Sequence, residues 1–439
     1  MLKAVISFSS RNLIFHVRQK SARFATYSIS TASPEDAALL REYQDHFLGG
    51  RRMELTNKVN FVDALAADAM PMFRVMDLEG RVNNENYDPE LSKDDIVDVY
   101  KKMVLLNIMD AILYDSQRQG RIDFYMTNYG EEATHLGSAA GLDAADLIFG
   151  QYREAGALLY RGYTVQDFMD QAKANRDDLN KGRQMQLHYG SKKLNFVSIS
   201  APLATQLPQA VGAAYVFKRQ QKRQVVLCYF GDGASSEGDT HAAFNFAATL
   251  KAPIIFFCRN NGYAISTPSR EQYAGDGIAG RGPSYGIASI RVDGNDFFAV
   301  LTATREARRL ALETGRPALI EAMTYRLGHH STSDDSTMYR TQEEVQLWAK
   351  LNHPVTRLGR YLKGKSYWDE EQEKEWRKGA RKMVLDALER AEKKKKPSIS
   401  HMFKEVYTEM PQNLVKQEKE LVEHLNEYKD EYLLDRHEP

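Results

Sequence analysis

The 439-residue sequence predicts an α/β protein with a doubly wound, mostly parallel sheet, an N-terminal arm and a helical C-terminal extension. Its apolar runs are continuous rather than alternating, as is typical of strands buried on both faces of a parallel sheet. Segments with helical spacing separate these runs, and this alternation is typical of doubly wound sheets. Apolar residues make up 43% of the chain, which is enough for a sizeable core.

The individual elements are predicted from apolar spacing and from the turn residues that interrupt it. Four runs are predicted as buried strands: 224–230 (QVVLCYF), 254–258, 289–292 and 318–324. Five segments are predicted as helices: 96–114, 131–141, 202–218, 240–250 and 296–314. Because strands and helices alternate in this order, the sequence predicts a doubly wound α/β sheet.

A long amphipathic helix is predicted in the C-terminal third, where Asp369 and Gln372 have the spacing of a capping box. Its apolar face consists of Trp376, Ala380, Met383, Val384, Ala387, Leu388 and Ala391. Two interpretations of this face stay open, namely that it covers the core of this chain or that it contacts a partner. The lysine run 393–396 is predicted to be solvated at the helix end, where cations suit the helix dipole.

Composition divides the chain into four parts. Residues 1–34 contain five Lys or Arg and seven Ser but no acidic residue, a composition typical of a mitochondrial transit peptide. A disordered basic tail is the alternative. Residues 35–90 are predicted as an extended N-terminal arm, 91–345 as the α/β domain and 346–439 as the helical extension.

Charge and cysteine content exclude several classes of protein. The chain has 59 Lys+Arg and 59 Asp+Glu and no basic stripe, which argues against nucleic-acid binding. It contains no run of about 18 apolar residues, so no membrane insertion is expected. Its only cysteines, Cys228 and Cys258, exclude a disulfide scaffold and fit a reducing compartment.

Polar residues follow two of the predicted strands and point to a metal-bound diphosphate. Asp232 comes directly after the first strand, and Arg259 and Asn261 follow the second. If these strands are neighbours, Asp232, Asn261 and the backbone carbonyl of Tyr263 offer oxygen ligands for Mg²⁺. Arg259 can pair with a phosphate. Asp-Gly is also a common turn pair, so Asp232 alone would carry little weight.

The segment 275–280 (GDGIAG) matches a dinucleotide-binding signature in its glycine spacing. It follows polar residues rather than a buried strand, and Pro283 prevents an immediate helix. The strand–turn–helix context is therefore missing, and the segment is predicted to be a plain loop.

The spacing Gly-Asp-Gly, 26 residues, Asn-Asn resembles the thiamin-diphosphate signature. Longer stretches resemble the α subunits of branched-chain 2-oxo acid dehydrogenases: FYMTNYGEEATHLGSAAGL, FGQYREAG, GRQMQLHYG, PLATQLPQAVGAAY, FFCRNNGYAISTP and YRLGHHSTSDDS, with WDEEQEKEWRK and VYTEMPQ near the carboxyl end. The likeness is dense over 120–340. The related pyruvate-specific α subunit shares the magnesium motif but differs around the double histidine.

The resemblance implies an enzyme of the mitochondrial matrix with 3-methyl-2-oxobutanoate dehydrogenase (2-methylpropanoyl-transferring) activity, acting in branched-chain amino acid catabolism. It implies thiamin diphosphate, Mg²⁺ and K⁺ as cofactors and a thiamin-diphosphate-binding fold. The implied partners are a β subunit in an α₂β₂ heterotetramer, a lipoyl-bearing acyltransferase core, and a regulatory kinase and phosphatase. No second α/β set follows residue 340, so the active site is expected to be shared with the β subunit. A non-catalytic paralogue and the pyruvate-specific subunit remain the alternatives.

The resemblance also implies roles for individual residues. The magnesium ligands are Asp232, Asn261 and the Tyr263 backbone. The cofactor contacts are Tyr152, Arg153, Leu203, Gly233, Arg259 and His330, of which His330 is also catalytic. The potassium ligands are Ser200, Pro202, Thr205 and Gln206. Spacing alone would favour a surface turn at 151–153, a pair of histidines with no task at 329–330 and a flexible polar loop at 331–333.

Three further positions concern regulation and cofactor affinity. Ser331 matches the main inhibitory phosphorylation site of the family, and Thr341 stands at its second phosphorylated serine, which leaves that site in doubt. Ala201 replaces a serine that usually contacts the cofactor. Loss of that hydroxyl contact is expected to weaken cofactor binding by about 1 kcal/mol.

Overall fold

The structure contains a parallel sheet with helices on both of its faces. The computed structural model describes Ser33 and residues 56–63, 68–200 and 202–439. Ala201, the predicted leader apart from Ser33, and residues 35–55 and 64–67 of the predicted arm lie outside the described residues. The described residues belong to two units, which divide between residues 63 and 64. All strands and helices named below belong to the unit 64–439.

Seven parallel strands form the sheet in the order β1-β8-β9-β5-β4-β2-β3, and β6 pairs with β7 as a separate antiparallel hairpin. The strands are β1 (Met72–Phe73), β2 (Leu147–Phe149), β3 (Phe196–Val197), β4 (Val226–Gly231), β5 (Ile254–Asn260), β6 (Tyr263–Ala264), β7 (Thr267–Pro268), β8 (Ala288–Asp293) and β9 (Ala318–Met323). The fold class predicted from the sequence is thereby confirmed.

Helices cover both faces of the sheet and form the C-terminal part. They are α1 (Lys93–Arg118), α2 (Glu132–Ala140), α3 (Ala155–Tyr160), α4 (Val165–Lys173), α5 (Gln206–Arg219), α6 (Gly238–Leu250), α7 (Ser269–Gln272), α8 (Gly282–Tyr285), α9 (Phe297–Thr314), α10 (Gln342–Leu351), α11 (Pro354–Gly364), α12 (Glu370–Lys393) and α13 (Gln412–Glu427). Within the described ranges, none combines the length and the apolar content needed to cross a bilayer.

All four predicted strands are present, each within two residues of its predicted ends. The strands β1, β2 and β3 were not predicted, because they are two or three residues long and leave no apolar run in the sequence. The predicted helix 202–218 begins only at Gln206, since the residues before it form a turn in which Ala204 has a φ of 64°.

The central pair of strands fixes the position of the loops that follow them. β4 and β5 are parallel and in register, with Gly231 opposite Arg259. Nearly every residue of both strands is buried, including the free thiols of Cys228 and Cys258. Because parallel strands end at the same edge of the sheet, the two following loops are adjacent, as the sequence predicted.

Part of the predicted N-terminal arm is built into the sheet. β1 pairs with β8, and the next residues are held by Asp296, whose Oδ2 accepts hydrogen bonds from the backbone N–H of Val75 (2.7 Å) and Met76 (2.6 Å). Arg357 of α11 forms a buried ion pair with Asp293 (2.8 Å) and donates to the Met76 carbonyl. These contacts attach both the arm and α11 to the carboxyl end of β8.

The apolar face of α12 packs on α1 and α4 of the same chain. Ala380, Val384, Ala387 and Leu388 are fully buried there, so the interpretation that this face covers the core of this chain is confirmed. Met383, placed on the face by spacing, is 42% exposed, because its position lies at the edge of the stripe.

The capping box at Asp369 and Gln372 is present as predicted. The lysine run beyond α12 differs from the prediction at Lys394. Its Nζ contacts Asp170 (2.9 Å) and Asp177 (2.8 Å), so this lysine ties α12 to the end of α4 instead of being only solvated.

Candidate functional site

The loops after β4 and β5 bring the predicted magnesium ligands to one place. Asp232 is 2% exposed, and Asn261 is also buried. The Ser269 hydroxyl lies 3.2 Å from Asp232 Oδ2, and the backbone N–H of the same residue donates to the Gly262 carbonyl (2.9 Å). Ser269 therefore connects the two loops directly.

Tyr263 begins the hairpin β6–β7 just beyond Asn261. Its backbone N–H lies 3.3 Å from Asn261 Oδ1, which leaves the amide oxygen close to the backbone of the same loop. Gly233 packs against this hairpin, since a Cβ at that position would lie 2.9 Å from the Cβ of Ala264. A side chain at 233 would push the two loops apart.

A buried charge network lies beneath these loops. Arg259, the residue before the last of β5, donates from Nη1 to Glu131 (2.5 Å) and from Nε to Glu154 (2.7 Å). Glu131 also accepts from the Asn261 side-chain amide (2.8 Å) and lies 3.7 Å from Arg153 Nε. Burial alone would raise the pKa of Glu131, but Arg259 and Arg153 outweigh it and lower that pKa.

Glu131 and Glu154 were not singled out by the sequence analysis. Each immediately precedes a helix, α2 and α3 respectively, where the helix dipole favours a carboxylate. Glu154 Oε2 accepts the backbone N–H groups of Gln151 (2.8 Å) and Tyr152 (2.9 Å). The position of an acidic residue directly before a helix of small residues could have indicated these two glutamates in the sequence. It would not have shown that they pair with an arginine.

The segment 151–153 is not the surface turn that spacing alone favoured. Arg153 is 2% exposed and donates from Nη2 to the His330 carbonyl (2.8 Å) and from Nη1 to the Thr127 carbonyl. The Tyr152 ring stands edge-on to the His330 ring, with centroids 6.1 Å apart. Tyr152, Arg153, Arg259 and His330 are thus parts of one connected cluster.

His330 is held as a neutral imidazole. Burial, together with the positive charges of Arg153 and Arg326, lowers its pKa to about 3, although Asp334 opposes this shift. The backbone N–H of His330 donates to Asp334 Oδ2 (2.7 Å), and the same carboxylate accepts from the Tyr339 hydroxyl (2.6 Å). The backbone on both sides of the imidazole is therefore fixed.

The segment 331–333 is held by hydrogen bonds rather than being the open polar loop that spacing favoured. Ser331 is 7% exposed, and its Oγ accepts from the Ser333 backbone N–H (3.2 Å). Thr332 donates its backbone N–H to the Tyr125 carbonyl (2.9 Å). Thr341 lies apart from this segment, at the N-cap of α10, where its Oγ1 accepts the Glu344 backbone N–H (3.2 Å).

The predicted potassium ligands lie on the turn before α5. Thr205 Oγ1 donates to the Pro202 carbonyl (3.0 Å), whereas Ser200 is exposed. Gln206 is buried and donates from Nε2 to the Tyr229 carbonyl (2.9 Å), while its Oε1 has no hydrogen-bond partner among the described residues. A buried amide oxygen without a donor fits a ligand of a cation.

Leu203 is 37% exposed at the same turn. A leucine that is partly exposed in the isolated chain is compatible with contact to a bound molecule or a second subunit, and it is equally compatible with an ordinary surface position.

The donor set at the tips of β4 and β5 fits magnesium better than a transition metal. Among the described residues no three His, Cys, Asp or Glu side chains come together as a metal site. One buried carboxylate, Asp232, stands with neutral amide and backbone oxygens, and Mg²⁺ is commonly held by one or two carboxylates plus phosphate oxygens. The residues therefore fit a magnesium-bridged diphosphate.

Comparisons with known proteins agree with this chemistry. The family described as "Dehydrogenase E1 component" matches residues 100–400. The mitochondrial 2-oxoisovalerate dehydrogenase subunit alpha of Pan troglodytes is 61% identical over 386 residues, and that of Homo sapiens is 60% identical over the same length. Both alignments cover 88% of this chain and 87% of the relative. The corresponding protein of Caenorhabditis elegans is 57% identical over 414 residues, covering 94% of this chain and 96% of the relative.

The chain belongs to the dehydrogenase E1 component family. The resemblance to branched-chain 2-oxo acid dehydrogenase α subunits is thereby confirmed. Membership of this family also agrees with the α/β sheet on which the site is built.

The glycine signature at 275–280 begins as a loop, but the prediction that Pro283 prevents an immediate helix is wrong: a 3₁₀ turn starts at Ala279 and α8 at Gly282, because proline is tolerated in the first turn of a helix. Two backbone donors of the segment are already used. Glu321 accepts the N–H groups of Ile278 (3.0 Å) and Ala279 (2.9 Å) and also pairs with Arg291 (3.1 Å). The carboxylate thus occupies the position that a phosphate would need, which argues against nucleotide binding at this loop in a member of the E1 family.

We predict that His330 stays neutral down to about pH 4 in the cofactor-free protein, because burial and two arginines lower its pKa to about 3. The stability that comes from keeping this imidazole neutral is fully present above the unfolded pKa of about 6.5. It is lost as the pH falls from about 6.5 towards the folded pKa of about 3. Nuclear magnetic resonance of ¹³C-labelled histidine, with His330→Asn to assign the signal, measures the midpoint. A midpoint near 6.5 would contradict the burial argument.

Proposed function

We propose that this chain is the α subunit of a mitochondrial branched-chain 2-oxo acid dehydrogenase and takes part in thiamin-dependent oxidative decarboxylation of branched-chain 2-oxo acids. The acyl product is passed to lipoyl groups of the acyltransferase core. The observation that carries the proposal is that Asp232 and Asn261 lie in the two loops that follow the adjacent strands β4 and β5, in a chain of this family. The mitochondrial relatives and the leader-like N-terminus support the location in the matrix.

In the proposed arrangement Asp232, Asn261 and the Tyr263 carbonyl would hold Mg²⁺, and Arg259 and Arg153 would provide positive charge for the diphosphate of thiamin diphosphate. The bound coenzyme would supply a nucleophilic carbon and an electron sink for decarboxylation. The buried carboxylates Glu131 and Glu154 keep the Arg259 guanidinium fixed in a charged state. Because this guanidinium is already held in place, it would not have to change its position when a diphosphate binds.

His330 is the residue of this chain that would move a proton beside the reacting carbon. A neutral imidazole can accept a proton from substrate or coenzyme and return it later. The Arg153 contact to the His330 carbonyl fixes the ring relative to the diphosphate site. The positive charges of Arg153 and Arg326 act on His330 more strongly than the carboxylates of Asp334 and Glu131 do, and this balance favours an acidic substrate.

The proposed site is completed by a β subunit. The described residues contain one large parallel sheet, and the sequence contains one diphosphate motif, so the group that would contact the aminopyrimidine ring comes from the second polypeptide of an α₂β₂ heterotetramer. The exposed helix α13, in which every residue is at least partly accessible, is available for such contacts. The partner set also includes the lipoyl-bearing acyltransferase core and a kinase–phosphatase pair.

For the magnesium site, we expect Asp232→Ala to weaken thiamin-diphosphate binding in the presence of Mg²⁺ by at least about tenfold, since loss of even outer-shell groups costs that much. With the β subunit present, release of carbon dioxide from 3-methyl-2-oxobutanoate should fall in parallel. Calorimetric titration of the coenzyme and a radiolabelled decarboxylation assay measure the two effects.

The matched control is Asp239→Ala, which removes an exposed carboxylate from the first turn of α6. Equal coenzyme affinity in Asp232→Ala and wild type would reject the metal assignment. Faster turnover of pyruvate than of 3-methyl-2-oxobutanoate by the wild type would reject the branched-chain assignment.

For the potassium site, we expect K⁺ to raise the thermal midpoint of the wild type relative to Na⁺ at equal ionic strength, and Gln206→Met to abolish that difference. The unpartnered Gln206 Oε1 and the carbonyl of Pro202 supply neutral oxygens. At about 100 times its Kd the ion would contribute roughly 2.7 kcal/mol. Identical midpoints in K⁺ and Na⁺ for the wild type would reject the site.

For regulation, we propose that phosphorylation of Ser331 inhibits the enzyme. A phosphate adds a charge of about −1.5 to −2 beside His330 and breaks the packing of a largely buried side chain. Ser331→Glu should lower lipoyl acylation at least about tenfold, a barrier change of about 1.4 kcal/mol, with little change in coenzyme affinity. Ser333→Glu, at an exposed neighbour, is the control, and unchanged acylation in Ser331→Glu would refute the switch.

A further inference from the structure

Helix α10 lies outside the sheet, yet its side chain Glu344 contacts the loop proposed to hold magnesium. We call residues 261–268 the metal loop. Glu344 Oε1 accepts hydrogen bonds from the hydroxyl of Tyr263 (2.9 Å), within the metal loop, and from that of Tyr325 (2.9 Å), just beyond β9. One carboxylate oxygen therefore joins α10 to two segments that follow central strands of the sheet.

The position of Glu344 is itself fixed by the start of α10. Its backbone N–H donates to Thr341 Oγ1, the N-cap of the helix (3.2 Å). The Trp348 ring, one turn further along, stacks on the Tyr325 ring with centroids 4.9 Å apart and an interplanar angle of 4°. The first two turns of α10 thus hold both Glu344 and one of its tyrosine partners.

Tyr263 has little freedom to move once its hydroxyl is held. Its ring packs edge-on to Tyr325 at 6.1 Å, and the Arg340 guanidinium lies 5.5 Å from its centroid. Its backbone N–H approaches Asn261 Oδ1, and its carbonyl is the proposed backbone ligand of the metal. Fixing the ring therefore limits the movement of the residue that carries the proposed backbone ligand and that donates its N–H to Asn261 Oδ1.

We propose that Glu344 is a positioning residue for magnesium, acting on the metal loop through the Tyr263 hydroxyl. Thr341 belongs to the same device, because its hydroxyl orients the helical turn that carries Glu344. The inference rests on the proposed magnesium site and adds to it a control element on a helix that contributes no ligand. Any change at the Thr341 hydroxyl is transmitted to the metal loop by this route.

The test measures the Mg²⁺ concentration that half-saturates thiamin-diphosphate binding to the assembled α₂β₂ enzyme, followed by calorimetry. Glu344→Ala is expected to raise this concentration roughly tenfold, as is usual for loss of a group that orients metal ligands. Glu344→Gln keeps one acceptor oxygen and is expected to restore part of the affinity. Glu343→Ala removes an exposed carboxylate from the same turn and is the matched control.

Two further variants separate positioning from general damage. Tyr263→Phe should weaken Mg²⁺ binding and add nothing in the Glu344→Ala background, because both substitutions remove the hydrogen bond between Tyr263 and Glu344. Thr341→Val should also weaken Mg²⁺, whereas Thr341→Ser, which keeps the capping hydroxyl, should behave as the wild type.

Unchanged half-saturation in Glu344→Ala, or full additivity with Tyr263→Phe, would overturn the inference. The result for Asp232→Ala distinguishes this failure from failure of the proposed site. If Asp232→Ala removes the Mg²⁺ dependence while Glu344→Ala leaves it intact, the magnesium site stands and only the role of Glu344 is rejected. If neither variant changes it, the magnesium assignment itself is wrong.

Discussion

The site depends on one buried guanidinium. Arg259 lies at the end of a fully buried strand and is held between Glu131 and Glu154, which begin two separate helices. A buried charge is tolerated only when it is paired and hydrogen-bonded, so strand and helices must keep their relative positions. Through the second oxygen of Glu131, the same pairing also holds the Asn261 amide. Removing either carboxylate would leave an uncompensated cation beneath the proposed diphosphate position.

Most of the fold could be predicted from the sequence because its central strands are continuous apolar runs between turn residues. Residues 226–231 and 254–260 are of this kind, and the capping box at Asp369 fixed the start of α12 in the same local way. The edge strands β1 and β3, of two residues each, have no local signal and exist only through their pairing. The turn before α5 was missed for a related reason, since Ala204 adopts a positive φ that its residue type does not indicate.

The candidate site could be predicted only in part. Asp232 and Asn261 were found because each directly follows an apolar run, and adjacent parallel strands end together. Glu131 is 128 positions from Arg259 in sequence, and Glu344 is 81 positions from Tyr263, so neither pairing leaves a local pattern. The roles of His330 and Ser331 came from the family resemblance, since neither spacing nor composition distinguishes them from an ordinary loop. Burial, which separates those two interpretations, emerges only from the folded chain.

The contact between Glu321 and the loop at 275–280 has a wider consequence. A glycine-rich loop exposes backbone amide groups that can bind either a phosphate or a carboxylate of the same protein. The glycine spacing therefore indicates the backbone geometry and does not indicate which of these anions is bound. Here the anion is covalently part of the protein, and the loop serves as a brace between β9 and the start of α8. A receptor for a diffusible phosphate and an internal brace can therefore share one glycine pattern. The two cases differ in whether a carboxylate on a neighbouring strand already accepts the hydrogen bonds of the loop's amide groups.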